Sequence, residues 1–228
     1  MIEAEALKYP DEYFTTRHYG DDPARAQMYA QERARVQACV PAGAVFDYGC
    51  GIGDFLAGFD PGLYTRHGMD ISPFATAHAR ARGLYAIDYT EDLPYTDGAF
   101  DAVILRGTFQ HIYNPFHTLR ECARIVKPGG YLIFLATPNT RSLCYFLFGE
   151  LPAFDPPRNW FQVSDRTLET IIQNLNFEVT FTLYPYWGTP YARPIRDAWR
   201  FVGRMCGRRA PFAFPGNMME VYGRKQDG

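Results

Sequence analysis

Short apolar runs alternate with helix-like stretches along residues 24–138. The runs at 43–48, 64–70, 84–87, 99–106 and 131–138 are read as strands, and they do not alternate apolar and polar at every second position. That is the pattern of strands buried on both faces of a parallel sheet. Between them, 24–39, 54–59, 73–82 and 114–126 read as helices. Ser72-Pro73 supplies an N-cap serine with proline at the first helical position. Lys127-Pro128-Gly129-Gly130 reads as a helix end and turn. Residues 139–163 are rich in aromatics and proline and show no clear period. A helix then starts at Ser164, strands follow at 177–185 and 217–224, and an insertion occupies 186–216. Seven strands alternating with helices predict an α/β fold: a doubly wound, mostly parallel seven-stranded sheet with an insertion before the last strand.

Composition narrows this picture. The chain has 228 residues, 47 % of them hydrophobic and 21 % charged, the profile of a globular protein sized for one domain. No apolar run is long enough to cross a bilayer, and the acidic start MIEAEALKYPDEYF is not that of a signal peptide. Five cysteines with no CxxC pair point to reduced thiols in a cytoplasm, without a zinc site or disulfide frame. Net charge is −2, yet residues 191–210 hold six arginines against one acid, Asp197. Such a patch is a hint about a partner.

The candidate chemistry begins at VFDYGCGIGDFL, residues 45–56. A glycine turn after the first strand of such a sheet marks the ligand site. Gly49, Gly51 and Gly53 are followed by Asp54, where a dinucleotide fingerprint needs its third glycine, and an acid there repels a pyrophosphate. A Walker loop is absent. Asp47 precedes the glycines and Asp70 ends the second strand, placed to take two ribose hydroxyls. Two acids and no phosphate partner suit S-adenosylmethionine, with its ammonium, ribose and sulfonium.

Five segments in unbroken order, DYGCGIGDFL, MDISP, EDLPYTDGAFDAVILR, QHIYNP and IVKPGGYL, resemble the class I S-adenosylmethionine-dependent methyltransferases over about residues 43–138. The resemblance implies their Rossmann-like fold over a single domain, 1–228. Residues 1–42 would be an N-terminal helical flap, 43–138 the cofactor core, and 139–163 and 186–216 insertions on the acceptor side. It implies that Gly49, Cys50 and Gly51 face the methionine part, with Asp47 near the ammonium. Asp70 would hold the ribose and Ile71 would pack on adenine, with Asp88 and Tyr89 at the adenine edge. The family usually has an acid where Tyr89 stands, leaving Asp88 or the backbone to replace it. The stretch DEYFTTRHYG resembles an aromatic flap, with Tyr13 toward the acceptor and Tyr19 toward the cofactor; the other reading is an arm packed on the sheet edge. The tail from 139 on resembles, more loosely, a branch acting on sugars and other small metabolites.

Methyl transfer from a sulfonium is an in-line displacement that needs alignment and, for a hydroxyl acceptor, a base. His111 is either that base or a buttress of its loop. Arg106 and Gln110 stand on the same segment as contacts to the cofactor's carboxylate or the acceptor. Arg158, Trp160 and Phe161 are candidates for an anionic or sugar acceptor. In 193–209 the arginines suit an anionic membrane surface, an acidic substrate or plain solvation. The expected activity is O-methylation of a small molecule, a sugar or an anionic metabolite. N- or C-methylation, a nicotinamide oxidoreductase and a non-catalytic cofactor-binding regulatory partner are the alternatives. The acceptor's identity and the oligomeric state are not legible. Nucleic acid is not expected as acceptor, given the short basic stripe and the negative net charge.

Overall fold

A computed structural model describes residues 11, 13, 14, 22–151, 159, 161–208 and 212–227. The first complete helix, α1 (Pro23–Cys39), is capped by Asp22, whose side chain accepts from the Ala24 N–H. The core then runs β1 (Gly43–Tyr48), α2 (Asp54–Ala57), β2 (Tyr64–Asp70), α3 (Pro73–Ala81), β3 (Tyr85–Asp88), β4 (Phe100–Arg106), α4 (Pro115–Ile125) and β5 (Val126–Pro138). After it come α5 (Leu143–Phe148), α6 (Asp165–Gln173), β6 (Phe177–Leu183), α7 (Pro194–Met205) and β7 (Met218–Lys225). The seven strands form one sheet in the order β3-β2-β1-β4-β5-β7-β6. All pairs are parallel except β5 with β7 and β6 with β7, where β7 runs antiparallel.

This order puts the chain reversal between β1 and β4, so their carboxyl ends open a crevice. Alternation along β1 sends Phe46 and Tyr48 into a core with α4 and α6, and Val45 into a core with α1, α2 and α3. Asp47 shares the α1 face with Val45. Because β6 runs parallel to β5, the segments that leave β5 and β6 emerge at the same end of the sheet as the glycine turn.

Two details depart from the sequence pattern. Lys127–Gly130 is not a free turn but the opening of β5, which pairs Val126 with Phe100 and then shifts register before Ala102 meets Tyr131. Residues 139–163 contain a helix, α5, capped by Ser142. Its six residues, LCYFLF, are apolar all round, so no periodicity announces it.

α1 is tied to the sheet by charge as well as by packing. Glu32 is fully buried and accepts from the Arg106 guanidinium, Nε at 2.5 Å and Nη2 at 3.3 Å. The same guanidinium lies 4.2 Å from the Tyr29 ring centroid. One turn later, Arg35 forks onto buried Glu220 of β7. Burial pushes the Glu32 carboxyl upward, opposed by Arg106. Removing one partner of a buried pair leaves the other uncompensated, so Glu32→Leu should cost about 3 kcal/mol. Adding Arg106→Met should recover most of it. Thermal melts of the two single variants and the double variant read this out. Equal stability of Glu32→Leu and the wild type would show that the pair contributes nothing.

Candidate active site

The turn after β1 is built from three residues that need glycine. Gly49, Gly51 and Gly53 have φ of +84°, +54° and +84°. A Cβ on Gly49 would strike the Thr108 side chain, and one on Gly53 would strike Leu84. A Cβ on Gly51 would meet only the Phe14 ring, at 3.9 Å. The turn is therefore closed by β4 and α3 on two sides and roofed at Gly51 by an aromatic from the N-terminal segment. Phe14 packs with Ile52 and Ala75, and Tyr13 joins the cluster. Phe14 and Tyr13 thus pack over the glycine turn and the start of α3.

Four of the turn's own donors are consumed. The N–H groups of Gly49 and Cys50 both donate to the Met69 carbonyl, at 2.7 and 2.9 Å. Gly51 N–H donates to Asp70 Oδ2 at 2.8 Å, and Gly53 N–H to the Cys50 carbonyl at 3.0 Å. A pyrophosphate cradle needs such groups free. Asp54, which opens the one-turn helix α2, is paired with Arg82. Beside the turn the strand ends offer a ligand carboxylate oxygen, which suits a cation.

Two carboxyls line it. Asp70 is buried and also accepts from Ser72 N–H at 2.9 Å, so it clasps the glycine turn to the start of α3. Burial raises its pKa, opposed by its backbone bonds to Ser72, Gly51 and Ile71. Each oxygen keeps a lone pair for a ribose hydroxyl. Half-buried Ile71 follows at the mouth. Asp47 is 2 % exposed, and its Oδ1 has no hydrogen-bond partner. Burial pushes its pKa up to about 7, with Arg106 pulling down and Asp70 and Glu32 pushing further up. An unpartnered buried carboxyl at this turn fits an ammonium-bearing ligand. Cys50 is buried at the same turn, its thiol pKa raised by burial.

The remaining candidates are distributed as follows. Arg106 stands at the end of β4, but its guanidinium is committed to Glu32 instead of a ligand carboxylate. Asp88 is exposed and turned toward α3, where it meets the Thr76 hydroxyl and Arg80. Tyr89 is 46 % exposed and adjoins the Tyr48 hydroxyl, which in turn sits 3.4 Å from Thr118 Oγ1. His111 and Gln110 lie together in a short turn, Phe109–His111, just past β4. Gln110 Nε2 donates to the Gly107 carbonyl at 2.9 Å and lies 3.2 Å from His111 Nε2. Because the carbonyl fixes which end of the amide is NH2, His111 Nε2 is placed as an acceptor, and Gln110 Oε1 is left buried without a partner. Phe161 N–H bonds the Gln110 carbonyl at 3.1 Å, and the Phe161 ring packs edge-on to Phe109. Tyr19, Arg158 and Trp160 lie outside the described residues.

Glu32 is a site-bracing residue that a search for motifs passes over. The signal was present: it stands four positions from both Met28 and Val36, an acid within the buried stripe of α1. Thr108 was equally silent, since its role is to fill the space that Gly49 leaves open.

Asp47 carries a testable cost. Its folded pKa is about 7, above the unfolded value of 3.8, so the folded state binds the extra proton. Stability should therefore be highest below about pH 4 for this group and fall as pH rises through 7. Asp47→Asn should melt higher than the wild type at pH 8, with the gain shrinking at pH 5. A gain independent of pH would contradict the assignment.

Comparison with known proteins bears directly on this geometry. Residues 46–134 match the family model described as a methyltransferase domain. A fatty-acid O-methyltransferase of Mycolicibacterium smegmatis is 29 % identical over 196 residues, 76 % of this chain and 66 % of that protein. A ubiquinone biosynthesis O-methyltransferase of Xanthomonas oryzae is 36 % identical over 116 residues, 46 % and 48 % of the two chains. The chain thus spans about half to two-thirds of the length of these curated relatives. An S-adenosylmethionine-dependent methyltransferase of Thermotoga maritima superposes with a TM-score of 0.65 at 21 % identity, over 95 % of this chain and 98 % of that one. The magnesium protoporphyrin IX methyltransferase of Synechocystis, solved with S-adenosylhomocysteine bound, superposes at 0.63 and 14 % identity, over 95 % and 98 %. These two share the fold. Residues 46–134 thus match a methyltransferase domain, and the sheet has the fold of solved S-adenosylmethionine-dependent methyltransferases.

Proposed function

We propose that the chain transfers a methyl group from S-adenosylmethionine to an oxygen of a small molecule, an anionic metabolite or a sugar. The observation that carries the cofactor half is the Asp47 carboxyl, buried and unpartnered at Oδ1 beside a turn whose first three N–H groups are spent. Asp47 would take the ammonium, and Asp70 the ribose hydroxyls. The bound sulfonium supplies an already activated methyl.

This chain's part is then alignment, exclusion of water and removal of a proton. Phe14 and Tyr13 roof the turn. Phe161 is held to Gln110 by its backbone and bounds the acceptor side. Gln110 Nε2 donates to His111 Nε2, so His111 acts as the base once an acceptor hydroxyl displaces the amide from that nitrogen. Oxygen as the acceptor atom is supported by that base and by the two curated relatives, both named for O-methyl transfer.

The proposal is tested by offering the protein isotopically labelled S-adenosylmethionine with hydroxylated and carboxylated small molecules. Label should appear as a methyl ether or ester. Label on nitrogen or carbon, or none, would contradict the reading. With a hydroxyl acceptor, His111→Ala should lower kcat on the order of 10²-fold and leave cofactor binding intact. An unchanged kcat would remove His111 from the chemistry.

A further inference from the structure

The apolar stripe of α7 faces away from the protein. Ile195, Trp199 and Val202, spaced i, i+4 and i+7, are 80 %, 74 % and 51 % exposed. The opposite face makes the contacts. Asp197 is buried and accepts from the Arg193 N–H and the Tyr186 hydroxyl. Phe201 stacks on Phe214 at 4.6 Å and meets Phe148 of α5, while Arg204 pairs with Glu150. Through that contact α7 is joined to α5, which adds Phe146, 83 % exposed. Trp187, before the helix, is 73 % exposed. Ile195, Trp199 and Val202 form an exposed apolar stripe, and Phe146 and Trp187 are exposed on the neighbouring segments that leave the sheet at its carboxyl end.

Charge identifies what covers it. Arg193 and Arg208 are exposed at either end of the helix, in a segment of six arginines and one acid. The whole chain is −2, so an anionic surface repels the rest of the molecule and attracts this face alone. Indole and aliphatic groups flanked by guanidinium groups match the acyl boundary of a bilayer with phosphates above it. Nucleic acid would leave the three central apolar side chains against a phosphate backbone. No helix among the described residues is long and apolar enough to cross a membrane, so the helix would lie on the surface. We propose that α7, with Phe146, docks the protein on an anionic lipid surface. The inference does not depend on the acceptor. It places the bilayer at the end of the sheet where the glycine turn opens.

The test is co-sedimentation of the full chain with vesicles of phosphatidylglycerol mixed with phosphatidylcholine, against phosphatidylcholine alone. Binding should require the anionic lipid and weaken with salt. Trp199→Glu and Ile195→Glu, both at exposed positions, should each reduce partitioning about tenfold at an unchanged melting temperature. Arg193→Ala with Arg208→Ala should reduce both the binding and its salt dependence. Equal binding to phosphatidylcholine alone, full binding by Trp199→Glu, or a Trp199-dependent dimer in light scattering that ignores vesicles would each overturn the proposal.

Discussion

A carboxyl group deprived of water, Asp47, sets the terms for this site. It sits at the crevice between β1 and β4 with an unpartnered oxygen. Its neighbours cannot relieve it. The N–H groups of Gly49, Cys50, Gly51 and Gly53 are taken by Met69, Asp70 and Cys50. Arg106 shares its face of the sheet but is held by Glu32. The arrangement keeps a cation nearby without neutralising the acid, so the charge partner must come from a ligand. Preorganised, dry electrostatics of this kind are what a site can offer a developing or bound charge.

Much of this was written in local sequence. The runs at 43–48 and 64–70 coincide with β1 and β2, and the run at 99–106 begins one residue before β4, because buried parallel strands are largely apolar. Ser72 and Ser164 were visible caps, and both side chains accept an N–H as expected. The glycine turn was legible because positive φ leaves a compositional trace. Other features had no local signal. The antiparallel direction of β7 is a property of the whole sheet. Arg106 and Glu32 find each other across 74 positions, so the sequence offered Arg106 to a ligand without its true partner. Asp88 likewise answers to Thr76 and Arg80 on α3, not to its place after a strand.

The fold also separates two tasks at one end of the sheet. The cofactor side rests on β1, β2 and α3, where hydrogen bonds and glycines leave little freedom. The other side is formed by the segments after β5 and β6, held to the core by a few aromatic and ionic contacts. The first half determines the methyl donor. The second half carries the exposed apolar face of α7.

The central claim is that Asp47 meets the ammonium of S-adenosylmethionine. Calorimetric titration with S-adenosylhomocysteine near pH 7, repeated in buffers of different ionisation enthalpy, measures protons exchanged on binding. The account predicts binding with net proton release, as a carboxyl poised at about 7 ionises against the ammonium, and loss of that release in Asp47→Asn. Absence of binding, or binding with the same proton count in both proteins, would contradict it.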